Sequence, residues 1–148
     1  MRIAVGADHA GYQLKDTVAR FLAEQGHAVT DFGTHSEDSV DYPDYAASVA
    51  NAVSDGRAER GIVVCGSGAG ACIAANKIVG VRAMQGTDSY TAHQGVEHDD
   101  ANVLCLGARV TGEAVVMEVV AAFVGAKFIP EERYVRRLNK VKALEAGR

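Results

Sequence analysis

The sequence is poor in basic charge, in long apolar runs and in paired cysteines. Fifteen lysines and arginines stand against nineteen aspartates and glutamates, giving a formal net charge of −4. Nucleic-acid binders normally present a basic face, so a nucleic-acid partner is not expected. A small anionic substrate stays open, because a few arginines can make a local positive pocket in an acidic protein. No stretch approaches the roughly 18 apolar residues of a membrane span, so no membrane partner is expected either. The opening Met1-Arg2-Ile3-Ala4-Val5-Gly6 does not read as a signal peptide, because the apolar run is cut short at Asp8. Cys65, Cys72 and Cys105 are odd in number and sit in apolar segments. Reduced thiols in a cytoplasm are the expectation. The Cys65–Cys72 spacing fits no zinc pattern, and no metal is expected. No linker, repeat or low-complexity segment breaks the 148 residues. One domain over 1–148, large enough for a single core, is expected.

What is present is an alternation of short apolar runs and amphipathic stretches. Strands are expected at 2–7, 28–32, 61–65, 80–84 and 102–106. Helices are expected at 11–25, 43–54, 70–77, about 87–96, 112–125 and 130–145, with Pro43 placed to start the second. Repeated β-then-α units imply an α/β fold: a three-layer α/β/α Rossmann-like sandwich on a five-stranded parallel sheet. Ligands of such sheets bind beyond the carboxyl ends of the strands. Chemistry is therefore sought at Asp8-His9, Gly33-Thr34, Cys65 to Gly70, Gly86-Thr87-Asp88 and Gly107-Ala108-Arg109.

The segment Cys65-Gly66-Ser67-Gly68-Ala69-Gly70 lies between a strand and a helix. Glycines let the backbone approach a ligand, and a helix start offers free N–H groups, which together make an anion hole. No Gly-Lys-Ser/Thr follows, so it is not a Walker loop, and it lacks the full dinucleotide spacing. A phosphatase loop would need arginine where Ala71 stands. The glycines alone also fit a plain tight turn. Cys65 meets the helix start, a setting that can lower a thiol pKa and make a nucleophile or base. Its position alone fits a buried structural cysteine equally well. Cys72 and Cys105 lack that setting and read as core. Asp8 and His9 follow the first strand. His98 sits in the polar knot Glu97-His98-Asp99-Asp100-Ala101-Asn102, which reads as a surface loop. It matters only if it faces Cys65. His27, His35 and His93 read as surface residues. Arg109 follows the fifth strand, and Arg133 and Arg137, four apart, share a helix face. Paired guanidinium groups hold phosphate dianions, although a solvated basic face looks the same in sequence.

In order and spacing these segments resemble the ribose-5-phosphate isomerase B family, which also contains galactose-6-phosphate isomerase subunits. The resemblance runs through Gly6-Ala7-Asp8-His9-Ala10-Gly11, Asp41-Tyr42-Pro43-Asp44-Tyr45-Ala46 and Cys65 to Gly70. It continues in Ile73-Ala74-Ala75-Asn76-Lys77, Gly80-Val81-Arg82-Ala83, Asn102-Val103-Leu104 and Gly107-Ala108-Arg109. It implies aldose–ketose isomerisation of a sugar phosphate without metal or cofactor. Cys65 matches the base of one branch, while another branch carries glutamate at the position of Ala71. His98 matches the ring-opening histidine. Asp8, His9 and Tyr42 match substrate-contacting or pocket-lining positions, and Gly66, Ser67, Gly68, Ala69 and Gly70 match the anion hole. Arg109, Arg133 and Arg137, together with His9, match sugar- and phosphate-binding positions. The family implies a homodimer with shared sites, leaving room for a tetramer, and the helix 130–145 would pack on the partner.

Two departures stand out. Asp99 occupies a place where the family often has a substrate-touching asparagine, and Tyr134 one where it often has histidine. The implied mechanism has His9 or His98 open the furanose and Cys65 remove the C2 proton. Backbone N–H groups hold the enediolate, Ser67 relays a proton between O1 and O2, and the arginines grip the phosphate. Two other classes remain: a flavodoxin-like nucleotide-binding module, which leaves Cys65 and His98 unexplained, and a cysteine hydrolase or thiol-redox protein, which needs a covalent intermediate.

Overall fold

The computed structural model describes residues 1–147. In chain order the elements are β1 (Arg2–Ala7), α1 (Tyr12–Glu24), β2 (Ala28–Asp31), α2 (Tyr42–Ser54), β3 (Arg60–Cys65) and α3 (Ala69–Ala75). Then come β4 (Ala83–Gln85), α4 (Ser89–Asp99), β5 (Val103–Gly107), α5 (Glu113–Gly125) and α6 (Glu132–Ala146). The strands form one parallel sheet in the order β2-β1-β3-β5-β4, with helices on both faces. The expected α/β/α sandwich is therefore present. No helix among the described residues is long and apolar enough to cross a membrane.

Strand alternation sorts the side chains into two cores. Ile3, Val5, Ile62, Val64, Leu104 and Leu106 pack with α1, α4 and α5. Ala4, Val63, Cys65, Val103 and Cys105 face the other way, against α2 and α3. The second core is built largely of small residues, among them Ala46, Ala50, Ala71 and Ala75, which lets α2 and α3 lie close to the sheet. Cys65 thus emerges on the face where both of those helices begin.

β4 departs from expectation, starting at Ala83 rather than at residue 80. Side chains take the hydrogen bonds that would extend it. Asn102 Oδ1 accepts the Arg82 N–H at 2.7 Å, and Asn76 both accepts from Ala83 N–H and donates to its carbonyl, each at 2.9 Å. Gly80, at φ +81°, turns the chain just before this pinned segment.

One buried charge fixes the loop over the carboxyl end of the sheet. Lys15 on α1 is 1% exposed. Its Nζ donates to Asp31 Oδ2 at 2.6 Å and to the Thr34 carbonyl at 2.9 Å, with Asp16 Oδ1 at 3.1 Å. Asp31 in turn accepts the Gly33 N–H at 2.8 Å. The ammonium is thereby paired and hydrogen-bonded, as a buried cation must be. Lys15→Met is expected to cost about 3 kcal/mol, because it strands Asp31 and the Thr34 carbonyl. Urea unfolding checks this, the midpoint falling at unchanged slope.

Candidate active site

At the carboxyl ends of β1, β3 and β5, one cavity of about 330 Å³ is lined by Asp8, Tyr42, Cys65, Gly66, Ser67, Gly70, Arg109 and Val110. Cys65 is 4% exposed and closes β3. The Gly68 N–H donates to its Sγ at 3.1 Å, so the sulfur sits as an acceptor at the start of α3. This contact depends on Gly68 standing at φ +84°, a left-handed conformation that glycine adopts without strain. Ser67 Oγ accepts the Ala69 N–H at 3.3 Å. Gly70 and Ala71, next in the first turn, have no α-helical partner for their N–H groups. Tyr42 lies against Gly70 so closely that a methyl group there would stand 2.6 Å from the ring.

The other strand ends complete this group. Asp8, 8% exposed, accepts the Gly11 N–H at 3.1 Å. His9 Nδ1 meets the Val40 backbone N–H and carbonyl, each at 3.2 Å, which ties the ring to the loop that Lys15 anchors. The Ala108 and Arg109 N–H groups donate to the Cys65 and Gly66 carbonyls at 2.9 and 3.0 Å. Arg109 reaches back over Gly66 and has no carboxylate partner among the described residues. Gln85 was not singled out from sequence, yet its amide donates to the Ser67 carbonyl at 2.6 Å and holds the turn from the β4 side.

His98 and Asp99 do not join them. They form the last turn of α4 rather than a loop. This helix starts beyond the carboxyl end of β4 and its eleven residues run back about 16 Å. Its end therefore lies by the amino ends of the strands, where β5 begins. Arg82 fixes it there, through Nη2 to Asp100 Oδ2 and Nε to the Asp100 carbonyl, both at 2.7 Å. Arg133 and Arg137 belong to the same end. The Ile129 N–H donates to the Glu97 carbonyl at 2.9 Å, and the His98 and Tyr134 rings stack. Arg133 Nε pairs with Glu131 at 3.0 Å, and Arg136 with Glu132 at 2.8 Å, whereas Arg137 has no carboxylate partner among the described residues. Asp99 borders a separate hollow with Arg82, Leu138, Lys142 and Glu145. One chain thus carries two groups of candidate residues at opposite ends of its sheet.

The three thiols are free, and Cys72 differs from expectation. A hydrogen bond from the Cys105 thiol, helped by the Asn76 amide and opposed by burial, draws Cys72 down to about 7. Cys105 is pushed well up by Cys72 and by its own burial. As a thiol, Cys72 donates to the Ala83 carbonyl at 3.5 Å. It stands among the residues that pin β4, and Cys65 rather than Cys72 lines the cavity. Among the described residues no group of His, Cys, Asp and Glu side chains has the arrangement of a metal site.

Residues 3–141 match the Ribose/Galactose Isomerase family. The chain is 41% identical over 147 residues to ribose-5-phosphate isomerase B of Escherichia coli, covering 99% of this chain and 98% of that one. It is also 41% identical over 129 residues to D-erythrulose-4-phosphate isomerase of Pectobacterium atrosepticum, covering 86% of this chain and 85% of the relative. The structure of Clostridium thermocellum ribose-5-phosphate isomerase B superposes with a TM-score of 0.96 at 46% identity, covering 99% of both chains. With the match running from β1 into α6, the chain belongs to the ribose/galactose isomerase family of sugar-phosphate isomerases.

Proposed function

We propose that this enzyme interconverts ribose 5-phosphate and ribulose 5-phosphate through a cis-enediolate, with Cys65 as general base. The observation that carries the reading is the single cavity in which Cys65 Sγ, the glycine turn and Arg109, which has no carboxylate partner among the described residues, converge. The Cys65 thiolate takes the C2 proton of the open-chain aldose, and the electron pair moves through C1 to O1. The first-turn N–H groups of α3 hold the developing oxyanion. Ser67, exposed beside them, passes a proton between O1 and O2. The Cys65 thiol then returns its proton to C1, leaving the ketose. Asp8, His9 and Tyr42 contact the sugar, and the scheme uses no metal or cofactor.

The remaining groups come from a second copy of the chain. His98 for ring opening, Asp99 beside the sugar, and Arg133 and Arg137 for the phosphate stand at the far end of the sheet, so a homodimer can lay one end of each chain against the other end of its partner. His9 and Arg109 complete the phosphate grip. Support for helix α6 as part of the contact comes from Val141 and Leu144, which are 50% and 74% exposed on it. One domain over 1–148 and action in the cytoplasm as a dimer or a dimer of dimers complete the proposal, the three free cysteines favouring a reducing compartment.

A tetrose phosphate is the second reading. The likeness to the D-erythrulose-4-phosphate isomerase favours it, as does Asp99, whose carboxylate cannot donate as an amide can. Turnover measured side by side on ribose 5-phosphate and erythrose 4-phosphate decides between them, the larger kcat/KM marking the substrate.

Cys65→Ser is expected to lower kcat by about 10²–10⁴, the usual contribution of a positioned base. Cys72→Ser stays within a few-fold, even though its thiol is drawn down to about 7 by Cys105 and Asn76. Retained activity in Cys65→Ser would remove Cys65 from the chemistry. The shared site is checked by mixing: Cys65→Ala and His98→Ala chains, each inactive alone, are unfolded and refolded together. Half the dimers are then mixed and each has one intact site, so about a quarter of wild-type activity returns. No recovery would mean that each site draws its residues from one chain.

A further inference from the structure

The aromatic ring at position 134 touches two of the proposed functional groups. The His98 and Tyr134 rings are stacked, with centroids 4.1 Å apart and planes 16° from parallel. The Arg133 guanidinium lies over the same ring, 4.6 Å from its centroid. Tyr134 itself is 5% exposed, and with Leu138 it forms the buried face of α6. His98 is only half-buried, and no hydrogen bond to another described side chain fixes its ring. The stack is therefore the contact that sets its plane. Arg133 has a second restraint in Glu131, so it depends less on the ring.

We infer that Tyr134 is a positioning residue for ring opening: its aromatic face holds the His98 imidazole in the plane needed to move protons at the furanose oxygens. The inference rests on the proposed role of His98. In ring opening the O1–H proton leaves as the C1–O4 bond breaks, and O4 gains a proton, so a donor and acceptor must be aimed at two fixed oxygens. An imidazole can serve both needs, but only in the correct plane. A near-parallel stack restrains the ring without using either nitrogen. A histidine at 134 would bring a second titrating imidazole to the same place, whereas tyrosine supplies the flat face alone and leaves proton transfer to His98.

Ring opening and enolisation can be read separately. Ribulose 5-phosphate cannot close to a furanose, because O5 carries the phosphate. Exchange of its C1 proton with solvent therefore reports enolisation alone, while conversion to cyclic ribose 5-phosphate also needs ring closure. In D2O, at saturating ribulose 5-phosphate so that any slackening of Arg133 drops out, NMR follows deuterium at C1 beside ribose 5-phosphate formation. Tyr134→Leu, which fills the space without an aromatic face, is expected to lose tenfold or more in ribose 5-phosphate formation and less than threefold in exchange. Tyr134→Phe keeps the face and stays within threefold in both. His98→Ala shows the same separation of the two rates, and adding Tyr134→Leu to it changes nothing further. Equal loss of both rates in Tyr134→Leu, the mark of a merely structural role, would overturn the inference, as would loss in neither. If His98→Ala leaves the two rates coupled, the role of His98 itself is wrong and the inference falls with it.

Discussion

A parallel strand sends its two ends to opposite edges of a sheet, and that polarity governs everything else in this molecule. Each βα unit delivers one group of residues at the carboxyl edge and then returns along a helix to the amino edge. Asp8, Cys65 and Arg109 leave the chain on the outward journey. His98 and Asp99 leave it at the end of a return. No adjustment of side chains joins groups separated by the length of a strand, about 20 Å for six residues. The proposed use of both groups in one reaction therefore makes association and catalysis parts of the same problem.

Within the carboxyl-edge group, placement comes from close packing rather than from long-range charge. The small residues of the α2–α3 core bring both helix starts down onto β3. Tyr42 then meets Gly70, and the Gly68 N–H meets Cys65. From the other side Lys15 holds the loop whose Val40 meets His9. The amino-edge group is built differently. There polar residues do the fixing: Arg82, Asn76 and Asn102 bind backbone at the start of β4 and the end of α4. These three lie in the segments that carry the family resemblance, and each is committed to hydrogen bonds that shape the chain.

The order of strands and helices was legible in the sequence because it follows local periodicity, which needs no knowledge of partners. Cys65 and the glycine turn were legible for the same reason: a strand, a turn and a helix are consecutive. Only the second half of the knot around His98 is a loop; Glu97, His98 and Asp99 continue α4, although their polar side chains carry no apolar period, and Arg82 binds Asp100 where the helix ends. Lys15 escaped notice on an amphipathic helix, since nothing local says that a lysine will be buried beside Asp31. β4 was displaced because side-chain amides from Asn76, just after α3, and from Asn102, just before β5, compete for its first backbone groups. Each miss has one origin, a tertiary contact that outweighs the local signal.

Cys72 shows why ionisation alone does not identify a base. Cys72 is the one drawn down to about 7, by hydrogen bonds from Cys105 and Asn76. Those bonds also consume it. Its sulfur lies where α3 pins β4, among Asn76, Ala83 and Cys105, and any thiolate there is already engaged by protein donors. A base must instead present its sulfur to carbon-bound hydrogen at a place where the resulting oxyanion meets donors of its own. Cys65 has the cavity on one side and the first turn of α3 on the other. The perturbation of Cys72 thus marks a hydrogen-bonded pair inside the scaffold, and it is position relative to the cavity and the glycine turn that supports the proposal of Cys65 as the base.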